Sequence, residues 1–300
     1  MKYNLVDTQT GRLLKPEIIL SLSGGAARGY MFVGVHKVLE ELGIGIKSIS
    51  GTSMGSIIGM FIAMGKSNDE LVEMGKQITV KDFADINFSN IFKGLFKGKK
   101  LHALLQRLSN NISFDELSIP FYAVTTLIDG RCKKKVVFKE GCVATAVLAS
   151  ASNPLFCAVE IDKRLYCDGY HYDNLSARSH IEAIKGNAQL ESLPHLALDC
   201  LSNVAKVNLI ERIISHVSTT QKNEIRKDMN KGILQGRLDY ILDLECNKGQ
   251  ICFDKYLFLV DVGEKITRDH LPEMLNCLFG MSVEGLIEHN RKLSIQNAIT

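Results

Sequence analysis

The sequence predicts an α/β fold built on a mainly parallel sheet. Three observations predict it. Two short apolar runs, Glu17 to Ser23 and Lys47 to Ser50, have strand character and each leads into glycine. Each is followed by a segment with helical apolar character, closed by Gly43 and Gly65. Strand, helix, strand and helix in that order make a βαβ unit, whose strands lie parallel.

The elements follow in chain order. Val35, Val38, Leu39 and Leu42 share one face of the first helix. Met54 to Met64 forms the second, an apolar and therefore buried helix. Ser67-Asn68-Asp69-Glu70 is a capping box that opens a third. Residues 80 to 98 are less regular, and Leu101, Leu104, Leu105 and Leu108 mark a further amphipathic helix. Phe121 to Leu127 and Lys133 to Phe138 flank Asp129-Gly130 and read as a hairpin. Lys133 to Lys135 suit its exposed edge. A small-residue helix over Val143 to Ser150 stops near Pro154. Cys157 to Ile161 and Leu165 to Cys167 form a strand pair, and His195 to Leu201 a strand. A long polar helix over about 208 to 238, a strand at Tyr256 to Val262 and two closing helices complete the reading. No repeat or Pro/Ser-rich linker divides the chain. One domain over residues 1–300 is expected, with its motifs in about 16–205 and a mostly helical part over about 206–300.

Composition narrows the function classes. The 300 residues carry a formal net charge of +3, too small to argue for nucleic acid. Hydrophobic residues make up 46% and charged residues 23%, ordinary for a globular chain with a sizeable core. Eight cysteines stand singly, without C-x-x-C or zinc spacing, and are expected as free, mostly buried thiols in a reducing compartment. The first residues lack a signal-peptide h-region, and no run reaches the ~18 apolar residues of a spanning helix. The expected location is cytoplasmic or peripheral to membranes, with signal-less secretion left open.

Three segments carry chemistry. Gly51-Thr52-Ser53-Met54-Gly55 is a G-x-S-x-G between a strand and a helix, the setting of a nucleophile elbow. Gly51 and Gly55 leave room for the turn, and Ser53 Oγ would face a helix N-terminus. A Gly/Ser-rich turn without function is the plain alternative. Ser23 to Gly29 also lies between strand and helix. Its small residues Gly24, Gly25 and Ala26 expose amides able to converge on an anion, as in an oxyanion hole. Arg28 would steady the loop or hold a phosphate. A dinucleotide-binding turn is the alternative, but neither G-x-G-x-x-G nor a P-loop is present. Asp168-Gly169 ends a strand, where an active-site acid or an ordinary turn acid can stand.

Together these segments resemble the patatin-like phospholipase family. Its members carry a glycine-rich loop ending in Arg/Lys-Gly, a G-x-S-x-G and a later D-G-G or D-G-A. Here these are Gly24 to Gly29, Gly51 to Gly55 and Asp168-Gly169-Tyr170. Lys97 to Leu101 resembles the family's Gly-Lys segment, and Ala149 to Phe156 its A-S-x-x-x-P-x-x-F stretch. Asn174-Leu175 stands where N-x-P follows. The match covers roughly residues 16 to 180. Two positions depart. Ala26 replaces a loop glycine, and Tyr170 replaces Gly or Ala, which is unfavourable if that position needs φ > 0.

The resemblance implies a three-layer α/β/α fold and a Ser-Asp dyad with no cofactor or metal. Ser53 would be the nucleophile and Asp168 its base. The amides of Gly25, Ala26 and Met54 would hold the oxyanion, in a loop that also contains Gly24, Arg28 and Gly29. His171, His180, His195 and His216 follow Asp168, so chain order leaves a Ser-Asp-His triad open, although a lone histidine is more often a surface or packed residue. Asp173 is a backup acid, read as a solvated loop residue. The implied substrate is a phospholipid or other acyl lipid, with peripheral membrane contact, no nucleic acid, and room for a protein activator. Phe83, Phe88, Phe92 and Phe96 alternate with Lys93, Lys97, Lys99 and Lys100. They suit an interfacial surface, or a lid packed on the core. A fold kept for lipid or protein binding without turnover is the rival function.

Overall fold

The computed structural model describes residues 16–87, 95–130, 132–153, 155–201, 209–232, 234, 236–248 and 252–280. Strand β1 (Glu17–Leu22) sends Ile18, Leu20 and Leu22 into the main core and turns Ile19 and Ser21 to its other face. A 3-10 turn over Ala26–Tyr30 runs into helix α1 (Met31–Glu41). Strand β2 (Gly45–Thr52) and helix α2 (Met54–Ala63) complete the expected βαβα order. Helix α3 (Asn68–Gln77) starts at the Ser67–Glu70 capping box. Two further helices follow, α4 (Val80–Phe83) and α5 (Lys99–Leu108). Strands β3 (Phe121–Asp129) and β4 (Cys132–Phe138) form the hairpin, and α6 (Val143–Ala151) follows. Then come β5 (Val159–Ile161), β6 (Arg164–Asp168), α7 (Tyr170–Asp173), α8 (Ala177–Ala183), α9 (Ala188–Glu191) and β7 (His195–Asp199). The described chain closes with α10 (Leu209–Asn230), β8 (Tyr240–Asp243), α11 (Tyr256–Asp269) and α12 (Leu271–Phe279).

The described strands form one sheet between two helical layers. Its order is β5-β6-β3-β2-β1-β7-β8, with β4 also on β3. The β3-β2-β1-β7-β8 part is parallel; β4, β6 and β5 run antiparallel. Helices α1, α2, α5, α6 and α11 cover one face and hold the main core. On the other face, α7 and α8 meet a polar seam. Ser48, Ser50 and Thr52 alternate toward it along β2, hydrogen-bonded to His180, Ser176 and the Asp173 carbonyl.

Three expectations are corrected. Tyr256 to Val262 is not a strand but the start of α11, whose buried residues Tyr256, Leu259, Val260 and Gly263 recur at helical spacing. Leu257 and Phe258, which made the run look continuously apolar, are 47% and 44% exposed. The polar helix ends at Asn230, short of 238. Gly232 and Gly236 then take positive φ and lead into the unanticipated β8. All eight cysteines are free, but only Cys200 and Cys246 are buried.

Helix α11 packs on α1 through backbone. A Cβ on Gly263 would sit 2.0 Å from the Met31 carbonyl oxygen. Gly263→Ala is therefore expected to lower unfolding free energy by about 1–3 kcal/mol, the usual cost of overpacking, in urea denaturation. An unchanged midpoint would contradict this packing.

Candidate active site

Strand β3 has two edges and three partners. Strand β4 runs along one edge from Ala123 to Asp129. The other edge is shared. Strand β2 pairs with it up to Thr52, opposite Val124, and β6 takes over at the next residue, with Asp168 opposite Thr125. Ser53 thus leaves β2 beside the end of β6, where it and Asp168 line one recess and its hydroxyl helps to hold the Asp168 pKa down.

Ser53 is 8% exposed and adopts φ 54 and ψ −122, a sparsely populated conformation for serine. Packing imposes it. A Cβ on Gly55 would lie 2.4 Å from the Leu22 carbonyl oxygen, and one on Gly51 2.4 Å from that of Gly55. The Ser53 amide donates to Ser150 Oγ at 3.0 Å, and Ser150 donates to the Val124 carbonyl at 2.6 Å. The Ser53 carbonyl accepts from the amides of Ser56 and Ile57 at 2.9 and 3.2 Å, which starts α2. The positive end of α2 therefore lies at Ser53.

Asp168 is 2% exposed. Burial pushes its carboxyl up to about 7, against hydrogen bonds from Ser53 and from the Tyr170 amide that hold it down. The Tyr170 amide reaches Oδ1 at 3.0 Å. Gly169 is required by close approach, since its Cβ would meet the Val124 carbonyl oxygen at 2.4 Å. Tyr170 opens α7 and is not among the positive-φ residues, so the tyrosine at this position fits without backbone strain.

The glycine-rich loop lies against the elbow. Gly24 and Asn174 clasp each other. The Gly24 amide donates to the Asn174 carbonyl at 3.0 Å, and Asn174 Nδ2 to the Gly24 carbonyl at 3.2 Å. The Gly24 amide is thus already engaged and shapes the loop. Among the described residues no hydrogen bond engages the amides of Gly25, Ala26 or Met54. Ala26 takes φ 47, so its methyl carries a strain a glycine would not. Gly29 packs on Met54, whose Cγ would lie 2.4 Å from an added Cβ.

Two side chains differ from expectation. Arg28 is not presented to a ligand. It is 1% exposed and donates to the carbonyls of Lys248, Cys200 and Cys246 at 2.8, 3.4 and 2.6 Å, tying the loop to the chain after β7 and β8. Asp173 is not solvated. It is buried, accepts the Ser179 amide at 2.6 Å, and burial raises its pKa.

No histidine bonds to Ser53 or Asp168 among the described residues. His180 and His195 are packed in the seam, both on Ser21 Oγ at 3.1 and 2.7 Å, and burial lowers both pKa values. His171 stacks on Tyr170, and His216 is exposed. No group of three or more His, Cys, Asp or Glu is placed to hold a metal among the described residues.

Ser53 stands where two spaces meet. One is an apolar cavity over Met54, Ile57, Phe61 and Leu104, reaching Tyr30 and Tyr256. The other is a much smaller vestibule lined by Asp168, Asn153, Tyr170 and Asn174. Ala26, Ser53 and Asn153 belong to both.

The candidate interface residues divide. Phe88, Phe92 and Lys93 lie outside the described residues. Phe83 lines the apolar cavity. Phe96 pairs with Phe156 and is half-buried, packed inward. Lys97, Lys99 and Lys100 are exposed, beside Asp85, which caps the amides of Gly98 and Lys99 at 2.8 and 2.9 Å. Val80, Ile86 and Leu95 add exposed apolar groups. No helix among the described residues is long and apolar enough to cross a membrane.

Two positioning residues escaped sequence reasoning. The role of Ser150 beneath the elbow appears only when α6 packs on β3. Gln221 of α10 accepts the Asn174 amide and donates to the Tyr170 carbonyl, both at 2.9 Å, bracketing α7. Nothing near Gln221 in sequence signals this.

Comparisons with known proteins agree with one another. Residues 20–180, more than half of the chain, match the family model for patatin-like phospholipase. The chain is 32% identical over 162 residues to an uncharacterized NTE family protein of Mycobacterium tuberculosis, covering 53% of this chain and 44% of that protein. It is 30% identical over 168 residues to patatin-like phospholipase domain-containing protein 6 of Homo sapiens, 53% of this chain and 12% of that one. The matches thus span less than half the length of these relatives. In fold, the chain resembles VipD from Legionella pneumophila, with a TM-score of 0.52 at 13% identity over 90% of this chain and 70% of that one.

The buried carboxylate has a consequence for stability. Between the ordinary value of 3.8 and about 7, folded Asp168 keeps a proton that the unfolded chain has lost. Stability therefore falls as pH rises through that window, by a few kcal/mol. Asp168→Asn is expected to remove this loss. Its melting temperature should exceed that of the wild type at pH 8, with the gap closing toward pH 4. Parallel melting curves at all pH values would contradict the burial of an unpaired carboxylate.

Proposed function

The chain belongs to the patatin-like phospholipase family, and from that premise we propose that it is a lipid acyl hydrolase working through Ser53 and Asp168. The observation that carries the reading is that the strand handover on β3 sets Ser53 beside the buried Asp168, at the junction of an apolar cavity and a polar vestibule.

The acyl chain of the substrate lies in the apolar cavity, where each buried methylene contributes about 0.8 kcal/mol. Its ester carbonyl then sits at Ser53. Asp168 accepts the Ser53 proton as Oγ attacks the carbonyl carbon. Negative charge develops on the carbonyl oxygen, and the free amides of Gly25, Ala26 and Met54 stabilise it. The tetrahedral species collapses, the protonated Asp168 returns its proton to the leaving alcohol, and an acyl-Ser53 ester remains. Water then attacks the acyl carbonyl and gives a proton to Asp168; the second tetrahedral species collapses, Asp168 returns that proton to Ser53 Oγ, and the fatty acid leaves.

A free aspartate, with a pKa of ~3.9, is a poor base at neutral pH. Burial that carries Asp168 up to about 7 brings it closer to the value that suits proton transfer there. Membrane contact belongs to the same reading. The exposed Val80, Ile86 and Leu95, with Lys97, Lys99 and Lys100, form a lipid-facing rim beside the helices that line the cavity.

Fatty-acid release from phospholipid and lysophospholipid vesicles tests this. Wild type should release fatty acid in EDTA, along an acid limb with a midpoint at about pH 7. Ser53→Ala and Asp168→Asn should each lose at least about a thousandfold, and His171→Ala should remain active. Full activity in Ser53→Ala would refute the proposal.

A further inference from the structure

Helix α7 is a single turn of four residues, and it joins the two halves of the candidate site. A helix this short has little stability of its own. At its first residue, the Tyr170 amide donates to Asp168 Oδ1 at 3.0 Å. Just past its last residue, Asn174 accepts the Gly24 amide and returns a hydrogen bond from Nδ2 to the Gly24 carbonyl. Gly24 leads directly into Gly25 and Ala26, whose amides are the candidate oxyanion donors. A shift of α7 therefore moves the base and these donors relative to one another.

One side chain from elsewhere in the chain spans this turn. Gln221 Oε1 accepts the Asn174 amide, and Gln221 Nε2 donates to the Tyr170 carbonyl, both at 2.9 Å. In a regular helix the Asn174 amide would donate to that carbonyl, four residues back. Here the Gln221 carboxamide bridges the two groups. Among the described residues no other side chain hydrogen-bonds either of them. The bridge needs a donor and an acceptor on one planar group, and among side chains of this length only glutamine carries both.

Helix α10 presents Gln221 from a fixed position. The next residue, Lys222, is 6% exposed and paired with Asp199 and Asp243, at the ends of β7 and β8, at 2.8 and 3.1 Å. Arg178 of α8 pairs with Asp228 of α10 at 2.6 Å. Gln221 lines neither the apolar cavity nor the vestibule, and it lies beyond the residues that match the family model.

We propose that Gln221 is a positioning residue for the reaction at Ser53. Its carboxamide holds the Asp168 base and the Gly25-Ala26 loop in register with each other through α7, which makes α10 a working part of the active site. This rests on the hydrolase reading and adds to it a residue from outside the family-matching segment. The effect of losing the bridge has a direction. A freer Tyr170 amide holds the Asp168 carboxylate less well, so its proton leaves at higher pH. Among the described residues, the titratable groups that act on or respond to Asp168 are Cys167 on β6 and Tyr170 on α7. Burial pushes them up to about 11 and about 12, so both stay neutral.

The test measures turnover of p-nitrophenyl butanoate from about pH 5 to 9 in wild type, Gln221→Met, Gln221→Glu and Ser53→Ala. Active sites are counted by covalent labelling with a fluorophosphonate. Methionine keeps the length and has neither group; ionised glutamate keeps the shape and loses the donor. Per labelled site, both Gln221 variants should lose about tenfold or more in kcat, with KM changed by less than about twofold. The acid limb of Gln221→Met should move up by about half a pH unit or more. Wild-type kcat per site in either variant would overturn the inference. So would a loss of labelled sites alone, or a lower kcat with an unmoved midpoint in Gln221→Met, which is the pattern of a structural defect. With Ser53→Ala silent, each of these outcomes leaves the dyad standing. A silent wild type would remove the hydrolase reading and this inference together.

Discussion

The site depends on one division of space, the single edge of β3 shared end to end by β2 and β6. Because β4 occupies the opposite edge, β2 must end before β6 can begin, and the handover falls between Val124 and Thr125. A serine that follows one strand and an acid that closes the other are thereby brought side by side. The strained backbone at Ser53 persists because its surroundings over-determine it. Two glycine contacts, the Ser150 bridge and the first turn of α2 all require that conformation.

Around this junction the two sides of the sheet do different work. The face under α2 and α6 is apolar and opens into the long cavity. The face under α7 and α8 is stitched by Ser21, Ser48, Ser50, Thr52 and Ser176 to His180, His195 and the Asp173 carbonyl, and it anchors the elbow strand to the helices that follow Asp168. Asp168 lies between them as a carboxylate with no counter-ion among the described residues. That is unfavourable for folding and favourable for proton transfer near neutral pH, the usual tension of a catalytic acid. Tyr170 enters this balance through the amide that steadies the carboxylate.

Much of the frame was legible because it rests on local contacts. The βαβα start, the Asp129-Gly130 hairpin, the Ser67 capping box and the strand pair before Asp168 are set by neighbours in sequence. So are the glycines of the elbow, where close approach leaves no room for a Cβ. What was not legible depends on distant packing. Tyr256 to Val262 read as a strand because five consecutive apolar residues hide the helical spacing of Tyr256, Leu259, Val260 and Gly263. Asp173 looked like a turn acid until α8 covered it. Arg28 looked like an anion ligand until the chain after β8 supplied three carbonyls. Tyr170 looked strained because its φ could not be read; the structure puts it at the start of a helix. Ser150 stood inside the A-S-x-x-x-P-x-x-F stretch, but its bridge to Ser53 appears only once α6 packs, and Gln221 acts on distant residues with no local signal.

The central claim is that Ser53 is a nucleophile activated by Asp168. Intact-protein mass spectrometry after brief exposure to an alkyl fluorophosphonate tests it most directly, with the adduct mapped by peptide sequencing. The account predicts one adduct per chain, on Ser53, forming faster as pH rises through about 7 and formed far more slowly in Asp168→Asn. An adduct elsewhere, or labelling of Ser53 at the same rate with asparagine at position 168, would contradict it.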